Sequence, residues 1–520
     1  MTVKGITIKW PVWVIVFALI GIGMYYAAPN VLPKMGFTDS PRKIAINPWS
    51  AFGAELRLNN GMGYDPESRN VKEFGLKAEF IRIDDRAPAM AALTSRNVDA
   101  IWVTTDIMST ETFEGSDLAK LGVAQIVFTD ISRGADVIVA DRTIKNAMDL
   151  KGKQVAYADA SASLTLLINL LESAGLTLND ITPVRVKSGV EAAAMFQALA
   201  VPCAVVWSPD DGDCIQQVEG AHELFSTAKA RNIIMDGIIV RKVDLQDKAF
   251  RIWANKLVTS WLVANAECNQ SMKAKQEAAA IFARSFSGYT DDLALDGLNK
   301  VRLCTYGDNR NLFGLNLSFK GVTGEELYSR MANIYSSVPD GKGSYLSRNP
   351  LVWKMVSDES IIEEINTLTG TEQAAEPDII MFAPITPEQE TVVANAEPVT
   401  SIKVIINFAT NSAQLNDQAK TILDRQVIPY AKGLSGYRIR TEGNTDQQGN
   451  QTEKGRIYNE NLSYQRAQSV IDYLIKAGKF DPNRFTKPIG NGSNKPIFAN
   501  ENSEAERSAN RRTEVVFINE

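Results

Sequence analysis

The sequence predicts an α/β domain joined through a linker to a smaller α+β domain, the whole preceded by one helix able to cross a membrane. Three observations predict it. Residues 10–33 are 24 consecutive positions without a charge, residues 43–207 alternate short apolar runs with helical stretches, and a Pro-rich acidic segment at 369–400 precedes a region with its own periodicity. At 520 residues the chain exceeds one ordinary core, and about 150 residues per domain gives three to four folding units. Hydrophobic residues at 45% and charged residues at 22% exclude a disordered chain, a collagen-like fibre and a polytopic membrane protein. With 55 basic against 61 acidic residues, net -6, there is no electrostatic footprint for a nucleic-acid partner. One histidine removes most histidine-based chemistry.

A bilayer core of about 30 Å needs about 20 helical residues, which the run from Trp10 to Pro33 supplies. Lys4 and Lys9 before it favour an N-terminus held in the cytoplasm, and Lys34, Arg42 and Lys43 beyond it oppose that count. A cleaved signal peptide is the competing reading. Tyr25-Tyr26-Ala27-Ala28-Pro29 puts tyrosines and a proline where small cleavage-site residues belong, so an uncleaved anchor is expected.

The linker carries six acidic residues, no Lys or Arg, and Pro377, Pro384, Pro387 and Pro398. As a flexible tether of about 30 residues it would reach about 30 Å. Charge divides there: residues 401–520 hold 17 basic and 13 acidic residues, net +4, leaving -10 for residues 1–400. In the first part, runs at 43–46, 78–83, 100–103, 136–139, 154–157 and 204–207 read as strands, each followed by polar or Gly-rich residues. Such alternation implies parallel sheets covered by helices, with ligands beyond the strands' carboxyl ends. Those ends carry Trp49, Asp84, Asp85, Arg86, Asp106, Ser161, Ser163 and Trp207, short polar groups beside aromatic rings.

Four cysteines remain: Cys203 and Cys214 flank a polar turn, and Cys268 and Cys304 would be a second pair. Neither spacing is CxxC, so disulfides are expected ahead of a metal site, with four buried free thiols as the alternative.

The run Ala135-Asp136-Val137-Ile138-Val139-Ala140, the segment Asp149-Leu150-Lys151-Gly152-Lys153-Gln154 and the helix from Ser161 to Gly175 resemble the second lobe of type II periplasmic solute-binding proteins of the nitrate, sulfonate, taurine and thiamine-precursor group. Val98-Asp99-Ala100 is similar to that family's first lobe, and the likeness covers about residues 40–310. It implies an α/β periplasmic-binding-protein-like domain of two lobes, 43–130 with the return after 237 and 137–232, hinged near Ser132-Arg133-Gly134 and Asp236-Gly237; over 311–368 the likeness thins, and that stretch reads as a helical extension packed on the first lobe. Trp49, Asp106, Ser161 and Trp207 become the candidate ligand residues by position, although a strand-end Trp also serves as wall packing and Ser161 as a helix cap. Asp106 would repel a free anion, so a ligand with a cationic or hydrogen-donating part is expected. An enzymatic relative of this fold uses histidine and a cysteine cluster; His222 stands alone here and the cysteines are scattered, so that role is not carried over.

After the linker, Ile402, Val404, Ile406 and Phe408 alternate as a strand, as do Tyr437, Ile439 and Thr441, and a helix from Leu462 to Gly478 precedes a last strand through Thr513, Val515 and Phe517. Gly443-Asn444-Thr445-Asp446, Asn459 with Leu462, Ser463, Arg466 and Ala467, and Asn510-Arg511-Arg512 resemble the OmpA-like peptidoglycan-binding domain. The resemblance implies that Asp446 and Arg466 hold the ammonium and carboxylate of the stem-peptide diamino acid, with Asn459 and Arg511 as supports. Asn444 stands where the family usually has histidine, and the loop from Gln447 to Tyr458 is longer than common. No nucleophile with a base, no diagnostic carboxylate pair and no phosphate loop is visible, so no enzyme activity, cofactor or metal is expected. The expected protein is anchored in the inner membrane of a Gram-negative-type envelope with its bulk in the periplasm; its partners are peptidoglycan, a small polar solute and a transport permease of the ABC type. Two alternatives are a structural tether with a degenerate ligand module and a stator-like motor subunit. The second needs a titratable carboxylate in the membrane, and residues 10–33 contain none.

Overall fold

A computed structural model of the chain describes residues 2–3, 6–7 and 40–519, apart from 160, 341–342, 378–379 and 397. The expected membrane segment at 10–33 lies outside the described residues, and among the described residues no helix is long and apolar enough to cross a membrane. The chain divides into two units, Met1–Arg42 and Lys43–Glu520. In the first, β1 (Thr2–Val3) pairs antiparallel with β2 (Ile6–Thr7).

Each predicted run of the α/β region forms a strand. β3 (Arg42–Ile46), β4 (Ala78–Arg82), β5 (Ala100–Thr104) and β6 (Val123–Ser132) open the first lobe; β7 (Asp136–Ala140), β8 (Gln154–Ala158), β9 (Thr182–Val186), β10 (Cys203–Trp207) and β11 (His222–Ser226) make the second. The chain then returns through β12 (Met235–Arg241) and β13 (Val301–Leu303). Strand order is β13-β6-β12-β5-β3-β4 in one sheet and β11-β7-β10-β8-β9 in the other. The sheets are mixed rather than parallel: β7 is antiparallel to β10 and β11, and β12 to β5 and β6. Two lobe crossings force this, because strands entering from the neighbouring lobe run against those built by local βα units. At the crossings, Ser132 Oγ meets Thr227 Oγ1 at 2.7 Å and the Gly134 N–H donates to Thr227 Oγ1 at 2.9 Å. β6 is buried along all ten residues, so it lacks the alternation that marks a strand in sequence.

The helix Ala162–Ser173 has ten of its twelve residues buried, on every side. Lobe 2 covers one side, and the extension helix Gly324–Tyr335 another. That extension touches both lobes rather than the first alone: the Tyr328 hydroxyl meets Thr112 Oγ1 at 3.0 Å, while the Tyr335 hydroxyl meets Thr165 Oγ1 at 2.5 Å.

The described residues of the segment expected as a free tether are docked at several points. Glu376 forms ion pairs with Arg133 and Arg231 beside the lobe crossing, and its N–H donates to Asp308 at 2.6 Å. Arg438 and Arg484 lie over the Phe382 ring, and the helix Pro387–Asn395 buries Val393 against Val516 and Ile518. β14 (Pro398–Asn407), β15 (Arg438–Gly443), β16 (Ile489–Gly490) and β17 (Arg512–Ile518) form the last sheet, ordered β14-β17-β15-β16. β15 is buried on both faces, not one, because the linker covers its polar side: Arg440 donates to the carbonyls of Val393, Ala394 and Ala396 at 2.9–3.1 Å. The following helix starts earlier than expected and spans Glu453–Gly478. This domain sits on lobe 2, where Tyr437 stacks with Phe225 at 6.1 Å and the Gly436 N–H donates to Lys229 O at 2.9 Å.

The expected disulfides are corrected to four free, buried thiols, Cys203, Cys214, Cys268 and Cys304. Alternation along β10 sends Cys203 and Val205 to one apolar cluster and Ala204 and Val206 to the other. Cys214, on the helix Asp210–Gln217, packs into the latter, so the sheet separates it from Cys203. Cys268 lies beside Arg57, whereas Cys304 is surrounded by Asp308, Asp130, Arg302 and Arg133. Burial pushes the Cys214 thiol up to about 12, with Asp210, Asp211 and Asp213 adding to it. Denatured without reductant, the protein should therefore release all four thiols to a chromogenic titrant, and the native protein almost none.

Burial alone pushes the Glu376 carboxyl up, but the hydrogen bond and charge of Arg133, with the charges of Arg231 and Arg302, hold it below the usual range. Glu376→Ala leaves the buried Arg133 guanidinium without its counter-charge and should destabilise the fold by about 3 kcal/mol, read as a lower urea midpoint. The contribution is full above the unfolded carboxyl pKa of about 4.3 and is lost as pH falls through the lower folded value, so the gap between wild type and variant should close in acid.

Candidate functional site

Two cavities collect the residues singled out in the sequence. The first, of about 460 Å³, lies in the C-terminal domain and is lined by Thr445, Asp446, Tyr458, Asn459, Arg466 and Arg511, among others. Asp446 follows β15, and Arg466 sits in the middle of the helix Glu453–Gly478. The two elements touch because Gly443 has no side chain: a Cβ there would fall 1.9 Å from Ser463 O. Arg466 is fully buried and is held by backbone: Nε donates to Ser412 O at 2.9 Å, one terminal nitrogen to Asn444 O at 3.1 Å and the other to Ala409 O at 3.1 Å. A guanidinium has five N–H donors, so two remain for a ligand. Burial lowers its pKa to about 10, against the Asp446 charge that raises it, and it stays cationic at neutral pH.

Asp446 does not pair with Arg466. One oxygen accepts from Arg511 at 2.7 Å and the other from the Gln448 N–H at 3.1 Å, which leaves acceptor capacity facing the cavity. Asn459 is a positioning residue for the rim, donating to Gln448 O and Asn450 Oδ1 at 3.0 Å each. Thr445 Oγ1 is buried without a partner. The cavity thus offers an anionic acceptor and a cationic donor in one space, the requirement of a zwitterion.

The second cavity, of about 150 Å³, lies between the lobes. Trp49, Ser161 and Trp207 line it; Asp106 does not. Asp106 is fully buried behind it, accepting from Thr165 Oγ1 of the other lobe, so it joins the lobes instead of meeting solute. Ser161 also caps its helix, accepting from the Ser163 N–H at 3.2 Å. Trp49 Nε1 donates to Asp130 at 2.9 Å, which fixes its ring. Trp207 lies on Gly189, where a Cβ would come within 3.0 Å of the indole. Sequence reasoning missed Asp136 and Asp236 on the floor, since both sit on the antiparallel strands that parallel βα logic does not place at a ligand site. Asp236 faces Asp130 across β12 and β6. Burial pushes Asp106 and Asp136 up to about 7 and Asp130 to about 6, and raises Asp236 well above the usual range; neighbouring carboxylates add to the rise at Asp106, Asp136 and Asp236, whereas hydrogen bonds from Trp49, Thr129 and Asp236 hold Asp130 down.

The fold and the two cavities define a two-lobed solute-binding-type domain followed by an OmpA-like domain. Residues 407–511 match the sequence model of the OmpA family, and residues 72–207 match the one described as NMT1/THI5 like. A putative aliphatic sulfonates-binding protein of Escherichia coli (strain K12) is 34% identical over 96 residues, 18% of this chain and 28% of that relative, so the chain spans under a third of the curated relative it matches. Among solved structures, the periplasmic aliphatic sulphonate binding protein SsuA from Escherichia coli shares 18% identity at TM-score 0.41 over 51% of this chain and 86% of its own. The alkanesulfonate-binding protein SsuA from Xanthomonas axonopodis pv. citri, bound to MOPS, shares 14% at TM-score 0.45 over 61% and 98%.

Between about pH 4, the unfolded carboxyl pKa, and the folded value of about 7, native Asp106 holds a proton that the unfolded chain has lost. Its contribution therefore weakens as pH rises through that window. Asp106→Asn keeps an acceptor for Thr165 and removes the titration, so its melting temperature should fall less than the wild type's between pH 4 and pH 7.

Proposed function

We propose that this is a membrane-anchored protein of the bacterial cell envelope that grips peptidoglycan through its C-terminal domain and holds a small polar solute between the lobes of its first. The observation that carries the first part is the pairing of spare capacity in one cavity: two free N–H donors on a buried Arg466 and open lone pairs on Asp446. A diamino-acid stem peptide presents the complementary carboxylate and ammonium. The OmpA-family match over 407–511 supports this assignment. Residues 10–33 supply the anchor, and the linker at 369–400 sets the boundary before the C-terminal domain. The solute part rests on the cavity between the lobes and is supported by the likeness of part of the chain to a putative sulfonates-binding protein, and a transport permease is the partner such a module would serve. No reaction is assigned to either cavity.

Sedimentation with purified sacculi tests the wall contact. Asp446→Ala and Arg466→Ala should each lose most retention, whereas Arg466→Lys, which keeps the charge without the fork, should retain an intermediate fraction. Wild-type retention by both alanine variants would overturn the assignment, and unchanged far-ultraviolet circular dichroism separates lost binding from lost fold.

A further inference from the structure

We infer that the cleft between the lobes takes a small organic cation, an ammonium group on a compact apolar body, seated against Trp49 and Trp207 with its charge toward Asp136 and Asp236. The inference rests on the proposed solute site and names the class of its solute. Five carboxylates line the cavity, Asp84, Asp85, Asp136, Asp159 and Asp236, against two cationic side chains, Arg86 and Lys187. Arg86 is already engaged: it pairs with Glu111 at 2.6 Å and lies over the Trp102 ring at 4.7 Å. Asp84 and Asp159 have Arg82 and Arg185 beside them, which leaves Asp85 at the rim and Asp136 and Asp236 on the floor without an ion pair among the described residues.

A cluster of acids alone would be a solvated or protonated feature. Here a second observation points into the cavity. Asp136 is only 2% exposed, yet its Oδ2 has no hydrogen-bond partner, and Asn47 Oδ1, a second buried acceptor lining the same space, has none either. Buried polar atoms are normally paired, so orphans converging on one cavity mark a missing ligand. Both lobes contribute alike, Trp49 and Asp236 from the first and Trp207 and Asp136 from the second, so a bound cation would be enclosed by a ring and a carboxylate from each side. Indole faces attract cations, the more so when desolvated. A sulfonate would meet the opposite field. Among the described residues no group of three or more His, Cys, Asp or Glu is arranged to hold a metal ion, and the indole walls favour an alkylated ammonium over a bare ion.

The test is titration of the full-length protein in detergent, followed by tryptophan fluorescence and calorimetry, with tetramethylammonium, its neutral analogue tert-butanol, methanesulfonate and calcium, at constant ionic strength. Saturable binding of tetramethylammonium alone is expected, weakened at least tenfold by Trp207→Ala and by Asp136→Asn, and less by Trp207→Phe, which keeps a ring. Binding of methanesulfonate, of tert-butanol as tightly as the cation, or of calcium alone would overturn the cationic class and leave the solute site standing. Tetramethylammonium binding that all three variants retain unchanged would put the cation elsewhere and also overturn it. Silence with every probe would remove the proposed solute site together with the inference.

Discussion

The helix Ala162–Ser173 is buried almost throughout, and two of its polar residues, Thr165 and Asn169, decide what can sit around it. Thr165 gives its hydroxyl to Asp106 of the first lobe and meets Tyr335 of the extension; Asn169 takes Arg330 on its side chain and Tyr430, from the C-terminal domain, on its carbonyl. Four parts of the molecule thus share one buried helix, and each must satisfy a polar group that water cannot reach. Leaving one unsatisfied costs about 1–3 kcal/mol, which makes the relative placement of these parts specific as well as stable. Glu376 acts at the other end of the same contact surface, pinning the linker to the arginines beside the lobe crossing.

Buried charge is handled oppositely in the two cavities. In the C-terminal domain two buried arginines are held by backbone carbonyls, Arg466 in the cavity by three and Arg484 outside it by those of Tyr437, Ala431 and Leu434. Such arginines stay charged and immobile, suited to a fixed anionic group. In the cleft Asp236 faces Asp130 across paired strands, so protons partly neutralise these acids and an incoming positive charge would do so more fully. The division of the net charge into -10 and +4 along the chain runs in the same sense.

Much of this was legible residue by residue. Asp446 and Arg466 stand in ordered motifs, and the strand-end positions of Trp49, Ser161 and Trp207 follow from βα alternation, which is a local property. Asp106 shares that alternation but its side chain crosses to Thr165, a contact 59 residues away that no local pattern encodes. Asp136 and Asp236 were hidden for the related reason that strand direction depends on the lobe crossings. β6 gave no alternation because it is covered on both sides; β15 did alternate, and what its pattern could not show is that the linker would bury its polar side as well.

By itself, then, the sequence determined the order of elements, the two domain types and the motif residues of the C-terminal cavity, because periodicity, turn residues and short motifs are set by neighbours a few positions apart. Tertiary structure alone decided that Asp446 pairs with Arg511, that the acidic linker is a strap and not a free tether, that the cysteines stay apart on opposite faces or among different neighbours, and that the cleft floor is acidic. Those outcomes depend on which surfaces meet, and burial and long-range pairing are fixed only when the chain closes on itself.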